Sequence, residues 1–141
     1  MNRMALTFFL CGTIMLACTT RPEQINYGKD QCAFCKMTIA ELKFGAELVT
    51  DKGRIFKYDA IECLLRHIHD DALSYQNLLV VGYDTPKQLH PIDSLIFVNS
   101  PNYKSPMGAN LAAFFHKNAL PESERSKVLE WTDLMNKFKT D

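Results

Sequence analysis

Residues 46–70, AELVTDKGRIFKYDAIECLLRHIHD, are the stretch on which the fold turns. Ala46 to Thr50 and Arg54 to Tyr58 are short runs of β-prone residues joined by Asp51-Lys52-Gly53, where the glycine is free to take a positive φ. That is the signature of a β-hairpin. Asp59 then stands as an N-cap with Glu62 three residues on, and Ile61, Leu64, Leu65 and Ile68 recur at helical spacing. The apolar pattern thus changes from that of a strand pair to that of a helix, expected from about Ala60 to Asp70. Leu78 to Tyr83 (LLVVGY) follows as a buried strand, closed by Asp84-Thr85-Pro86.

The second half has a similar order. Ser94 to Asn99 (SLIFVN) reads as a strand bounded by the turn residues Asn99-Ser100-Pro101-Asn102, and Asn110 to His116 (NLAAFFH) as a second strand. Pro121 to Arg125 suggests a short helix, Lys127 to Trp131 a short strand, and Trp131 to Phe138 a terminal helix with Leu134, Met135 and Phe138 on one side. An α+β fold of two tandem ββαβ-type units is expected, over about 32–86 and 87–141.

At the start, Arg3 precedes the apolar stretch Met4 to Leu16, too short for a membrane span, which takes about 20 residues. Residues 1–17 read as a signal peptide, and Ile14-Met15-Leu16-Ala17-Cys18 resembles a bacterial lipobox in which Cys18 becomes the acylated first residue. Met15 and Leu16 depart from its usual pattern; plain secretion or a retained anchor helix are the other readings. The expected location is the cell envelope, anchored by lipid to a bacterial membrane, with the outer membrane and a periplasm-facing domain preferred. Residues 18–31 are polar and hold Pro22 and Gly28, which reads as the lipidated cysteine and a flexible tether to the domain 32–141.

The chain carries 16 Lys and Arg against 16 Asp and Glu with no basic cluster, which excludes a nucleic-acid partner on electrostatic grounds. No nucleophile stands at a recognisable spacing from a base, and there is no phosphate loop. An enzyme is not expected. Of five cysteines, Cys11 leaves with the signal and Cys18 takes the lipid, so Cys32, Cys35 and Cys63 remain. An odd number argues against a complete disulfide framework and for a thiol kept for other chemistry.

Chemistry concentrates in Cys32-Ala33-Phe34-Cys35-Lys36-Met37, a CxxCxM arrangement. Two thiolates three residues apart can converge on one ion, and Met37 can point to the same side if the backbone is extended. A neutral, soft thioether adds little to zinc but suits Cu(I). Packing is the commoner reason for a lone methionine beside a cysteine pair. Ser105-Pro106-Met107-Gly108 places another methionine in a turn before a strand.

CAFCKMTI, then AELVTDKGRIFKYDAIEC, then SPMGANLAAF together resemble the NosL family of copper-binding accessory lipoproteins of nitrous oxide reductase, from about Tyr27 to Trp131. The resemblance implies a NosL/MerB-like fold of two ββαβ units, one Cu(I) per chain without catalysis, and delivery to nitrous oxide reductase or its maturation transporter. It places the family's C-x-M on Cys35 and Met37 and its second methionine on Met107; Cys32 joins as the less secure member of the set. Lys117 to Lys127 departs from the family pattern, with Pro121 and no Gly-Gly before the last strand.

Other residues invite alternatives. Cys63 and His67 lie one helical turn apart and, with Cys32 and Cys35, would make a Cys₃His zinc set; packing of Cys63 against the second unit is the preferred reading. Cys32 and Cys35 would also serve a thiol-disulfide oxidoreductase, but that chemistry normally sets its CxxC at a helix start and explains neither methionine. His69 and His90 read as surface or loop residues without partners, and His116 as a weaker candidate ligand. For Asp59 and Glu62, capping accounts for both.

Overall fold

The structure, a computed structural model, describes residues 21–139. The expected signal peptide and the expected lipidation site Cys18 lie outside the described residues. β1 (Ala46–Thr50) and β2 (Ile55–Tyr58) form the expected hairpin. Its turn is closed by the Gly53 amide on the Thr50 carbonyl at 2.8 Å, with Gly53 at φ 78°. The helix α1 (Ile61–Asp70) follows and lays Ile61, Leu64, Leu65 and Ile68 into the core. Burying each such side chain contributes about 1.5–3 kcal/mol, which holds a ten-residue helix too short to be stable alone. β3 (Tyr75–Gly82) then returns antiparallel to β1.

A strand absent from the sequence reading comes next. β4 (Thr85–Pro91) pairs with β3, giving a four-stranded sheet in the order β2-β1-β3-β4. Asp84-Thr85-Pro86 therefore turns the chain without ending the sheet. Pro86 and Pro91 are tolerated because β4 is an edge strand, and Lys87 at φ 67° breaks its regularity.

The second sheet holds β5 (Ile96–Asn99), β6 (Leu111–Phe114) and β7 (Val128–Leu129) in the order β6-β5-β7, again antiparallel. In both sheets the first strand of the unit lies between the second and the third, which is the topology of a repeat. Two 3-10 turns, Lys117–Ala119 and Glu122–Lys127, occupy the place that α1 has in the first unit. α2 (Trp131–Lys137) ends the described fold, opened by a reciprocal capping box between Glu130 and Asp133. The sheets meet where the Tyr83 amide donates to the Ala113 carbonyl at 2.6 Å, and one apolar core runs through both.

The polar stretch read as a tether belongs to the domain from Glu23 onward. The Glu23 amide donates to both carboxylate oxygens of the buried Glu47, and Lys57 reaches the Gln24 carbonyl and the Asp30 carboxylate, each at 2.9 Å. Ile25 is buried over Gly45, where any Cβ would lie 2.6 Å from its Cδ1. Gly45 thus leaves the room that lets this segment lie down.

Candidate metal centre

Two pieces of backbone build the site. The first is a tight turn after the Gln31↔Thr38 bridge, in which the Cys32 amide donates to the Met37 carbonyl at 2.8 Å and the Lys36 amide to the Cys32 carbonyl at 3.1 Å. Lys36 closes it at φ 66°, a left-handed conformation that costs a side-chain-bearing residue about 1–2 kcal/mol. The second piece is the passage from β2 into α1, which carries Asp59 and Cys63. The Ala33 amide on the Lys57 carbonyl, at 2.8 Å, ties the two together.

The ligand atoms of Cys32, Cys35, Asp59 and Cys63 all lie within 4.8 Å of one another. Cys32, Cys63 and Asp59 are buried and Cys35 is half-buried; all three cysteines are free thiols. The cluster is polarised internally. The thiol of Cys63 donates to the sulfur of Cys32, and the amides of Asp59, Cys35 and Phe34 point at the same atom, bringing the Cys32 pKa down to about 6 although burial opposes this. Cys63 is pushed above the ordinary thiol range by that same hydrogen bond, by burial and by the charges of Cys32 and Asp59. Burial raises Cys35 as well, reinforced by Cys32 and Asp59, and its Sγ lies 3.6 Å from Asp59 Oδ1. One sulfur is thus held as a thiolate, the form that binds metal, and two neighbours hold protons that an ion would displace.

Of the residues singled out from sequence, Cys32 and Cys35 are in this cluster. Met37 is 56% exposed beside it, its amide directed at the Cys35 sulfur. Met107 is half-buried against the main core, in the loop between β5 and β6. That loop is fastened to the start of α1: Ser105 Oγ donates to the buried Glu62 carboxylate at 2.5 Å and accepts from the Asn110 amide at 2.9 Å. Cys63 turns toward Cys32, Cys35 and Asp59, so its place on the helix serves the cluster.

Asp59 and Glu62 do not cap α1. The helix has Ala60 at its N-cap with no side-chain cap bond; Asp59 faces the thiols and Glu62 the Ser105 loop. His67 is not in the cluster, and the Cys₃His set is not formed. Its Nδ1 lies 2.9 Å from the Tyr58 hydroxyl and its Nε2 3.1 Å from Asp71, among the rings of Phe34, Phe56 and Tyr58. The remaining histidines all have partners: His69 the Met135 carbonyl, His90 the Thr85 hydroxyl and the Phe115 ring, and His116 the Asp84 carboxylate.

The fold has a counterpart in a crystal structure of the copper chaperone NosL from Shewanella denitrificans, which matches at a TM-score of 0.67 over 81% of this chain and 95% of that one. The fold is NosL-like. Sequence identity between the two is 17%, so the likeness lies in the arrangement of the elements. No family model and no curated protein matches the sequence. A NosL-like fold thus brings Cys32, Cys35, Asp59 and Cys63 together as a cluster with the donor atoms to hold a metal ion.

Proposed function

We propose that this chain binds one Cu(I) ion as cargo through the thiolates of Cys32, Cys35 and Cys63 and passes it to a copper enzyme of the cell envelope. The observation that carries the reading is the approach of three free thiols to within 4.8 Å in one pocket. A filled d shell leaves Cu(I) without a strong geometric preference, and two or three soft sulfurs satisfy it. Cys35 is the sulfur nearest to solvent, with exposed Met37 beside it, so an incoming donor from a recipient meets the ion from this side while Cys32 and Cys63 hold it from within. Met37 and Met107 act as auxiliary thioethers. The recipient in this reading is nitrous oxide reductase, a related multicopper enzyme, or the maturation transporter that serves it.

Anchoring through an acylated Cys18 belongs to the same reading. Because the chain is docked from Glu23, only a few residues of sequence would separate such an anchor from the domain. The domain would then work close against the bilayer, and its recipient would have to come to it there.

The test is titration of the reduced chain with Cu(I) against a chromogenic chelator under anaerobic conditions. One ion per chain is expected, with Cys35→Ser weakening retention strongly. Stoichiometry that stays at one with unchanged affinity in Cys35→Ser would overturn the assignment.

A further inference from the structure

Glu62 is a buried carboxylate that the thiol cluster does not use. It stands on the first turn of α1, 1% exposed, and its side chain is directed at the loop between β5 and β6 in the second unit. We propose that Glu62 is a positioning residue for Met107: it fixes the turn that carries this methionine against the helix turn that carries Cys63, and so sets what the thioether adds to Cu(I) binding. The proposal rests on the reading of Met107 as an auxiliary ligand and names what holds it in place.

The carboxylate grips the chain on both sides of Met107. Its Oε1 accepts from the Ser105 hydroxyl at 2.5 Å and from the Ala109 amide at 3.4 Å, two residues before the methionine and two after it. Between these points Pro106 and Met107 form the centre of a β-turn, closed by the Gly108 amide on the Ser105 carbonyl at 3.0 Å. Proline suits the first central position because its φ is already fixed. Ser105 Oγ also accepts from the Asn110 amide at 2.9 Å, and Asn99 Nδ2 donates to the Ala109 carbonyl at 2.6 Å. Gly108 and Asn110 both take the left-handed backbone, at φ 79° and 57°. Two such residues within three positions make a shape that the surroundings must impose, and enforced turns of this kind gather at ligand clamps.

Stability alone does not call for a carboxylate here. Oε2 of Glu62 is buried with no hydrogen-bond partner among the described residues, and a half-satisfied buried acid weakens a fold relative to an apolar residue of similar size. What the acid supplies is a fixed place for the loop. Met107 packs half-buried on the core cluster that contains Cys32 and Cys63, so a displaced turn displaces the thioether relative to those thiols.

The test is a double-mutant cycle read by Cu(I) competition against a chromogenic chelator, on the reduced full chain as parent, Glu62→Ala, Met107→Ala and the double variant. Glu62→Ala is expected to lower Cu(I) affinity several-fold, about as much as Met107→Ala, and to cause no further loss when Met107 is already absent. Glu62→Gln, which keeps the acceptor oxygen, should bind as the parent does. A Glu62→Ala chain that melts lower but binds Cu(I) with parental affinity would overturn the proposal, as would additive losses in the double variant. A loss in Glu62→Gln equal to that in Glu62→Ala would overturn it too, since the charge and not the tie would then matter. Should Glu62→Ala fail to fold, Ser105→Ala takes its place in the cycle with the same expectations. A parent that binds Cu(I) while Met107→Ala binds equally well defeats this inference and leaves the thiolate reading standing; a parent that holds no Cu(I) defeats both.

Discussion

The sulfur of Cys63, on the first turn of α1, lies within 4.8 Å of the sulfur of Cys32 on the turn that precedes β1. Cys63 is 1% exposed and Cys32 fully buried, so neither sulfur can leave the other without moving an element of the core. The expectation that Cys63 serves packing therefore gives way to one in which it is a ligand. Cys63→Ser should weaken Cu(I) retention about as much as Cys35→Ser, by an order of magnitude or more, because serine keeps the hydrogen bond but offers no soft donor. Competition against a Cu(I) chelator checks it; a Cys63→Ser chain that binds as the parent does would return Cys63 to the core.

Met37 and Met107 should separate from the cysteines and from each other. Met37 is exposed, so Met37→Ala should leave the melting temperature of the metal-free chain unchanged and lower Cu(I) affinity only several-fold, an open position being filled by water or a neighbouring sulfur. Met107 is half-buried, and Met107→Ala should also cost about 1–2 kcal/mol of stability from lost packing. Melting curves with and without Cu(I) give both quantities. A Met107→Ala chain whose Cu(I)-dependent rise in melting temperature equals that of the parent would remove the thioether from the site.

His67 should matter to the fold and not to the metal. Its two ring nitrogens are engaged by Tyr58 and Asp71, and the Tyr58 hydroxyl is fully buried. His67→Ala would leave that hydroxyl without its partner, at about 1–3 kcal/mol, and open a space among three aromatic rings. The melting temperature of the metal-free protein should fall by several degrees with Cu(I) and zinc affinities unaltered. Loss of zinc binding with an unchanged melting point would instead place His67 among the ligands.

Much of this was legible in residues 46–70, because hairpin and helix each announce themselves by a period and by a turn glycine. The repeat was legible too, in the order of apolar runs. β4 was not, since Pro86 and Pro91 argue against a strand unless it lies at an edge, and edge position is a property of the whole sheet. Asp59 was hidden by its own chemistry: an aspartate before a helix is the ordinary cap, and only the tertiary approach of Cys35 shows its carboxylate turned elsewhere. Helical spacing did put Cys63 and His67 off the apolar stripe. It could not say which of them meets the CxxC turn, because both sides of α1 are buried. The docked segment offered a faint signal in Ile25 and Tyr27, two apolar residues on alternate positions within polar sequence, with Gly45 as the space one of them fills.

Glu47 gives the fold a pH dependence of its own. It is fully buried on β1, opposite Lys57, beneath the segment that begins at Glu23, and burial raises its pKa to about 7; the Glu23 amide and the charge of Lys57 offset this only in part. The unfolded chain has the ordinary value of about 4.3. Between these values the folded state binds more protons than the unfolded one, so stability from this group is fully present below about pH 4.3 and is lost as the pH rises through 7. The loss is on the order of 3 kcal/mol. Asp30 and Asp84, with lowered pKa values, act in the opposite sense near pH 4, and His90 and Cys32, also lowered, do so toward the upper end of the window from about 4.5 to 7, so the part due to Glu47 is read as the difference between the parent and a variant lacking the carboxyl. Glu47→Gln keeps an oxygen for the Glu23 amide and removes the charge. Across that window, rising pH should lower the melting temperature of the metal-free parent relative to that of Glu47→Gln, the gap between the two growing toward pH 7. Parallel curves for the two proteins would mean that the carboxyl is ionised in the fold without penalty and that the docked segment does not depend on its proton.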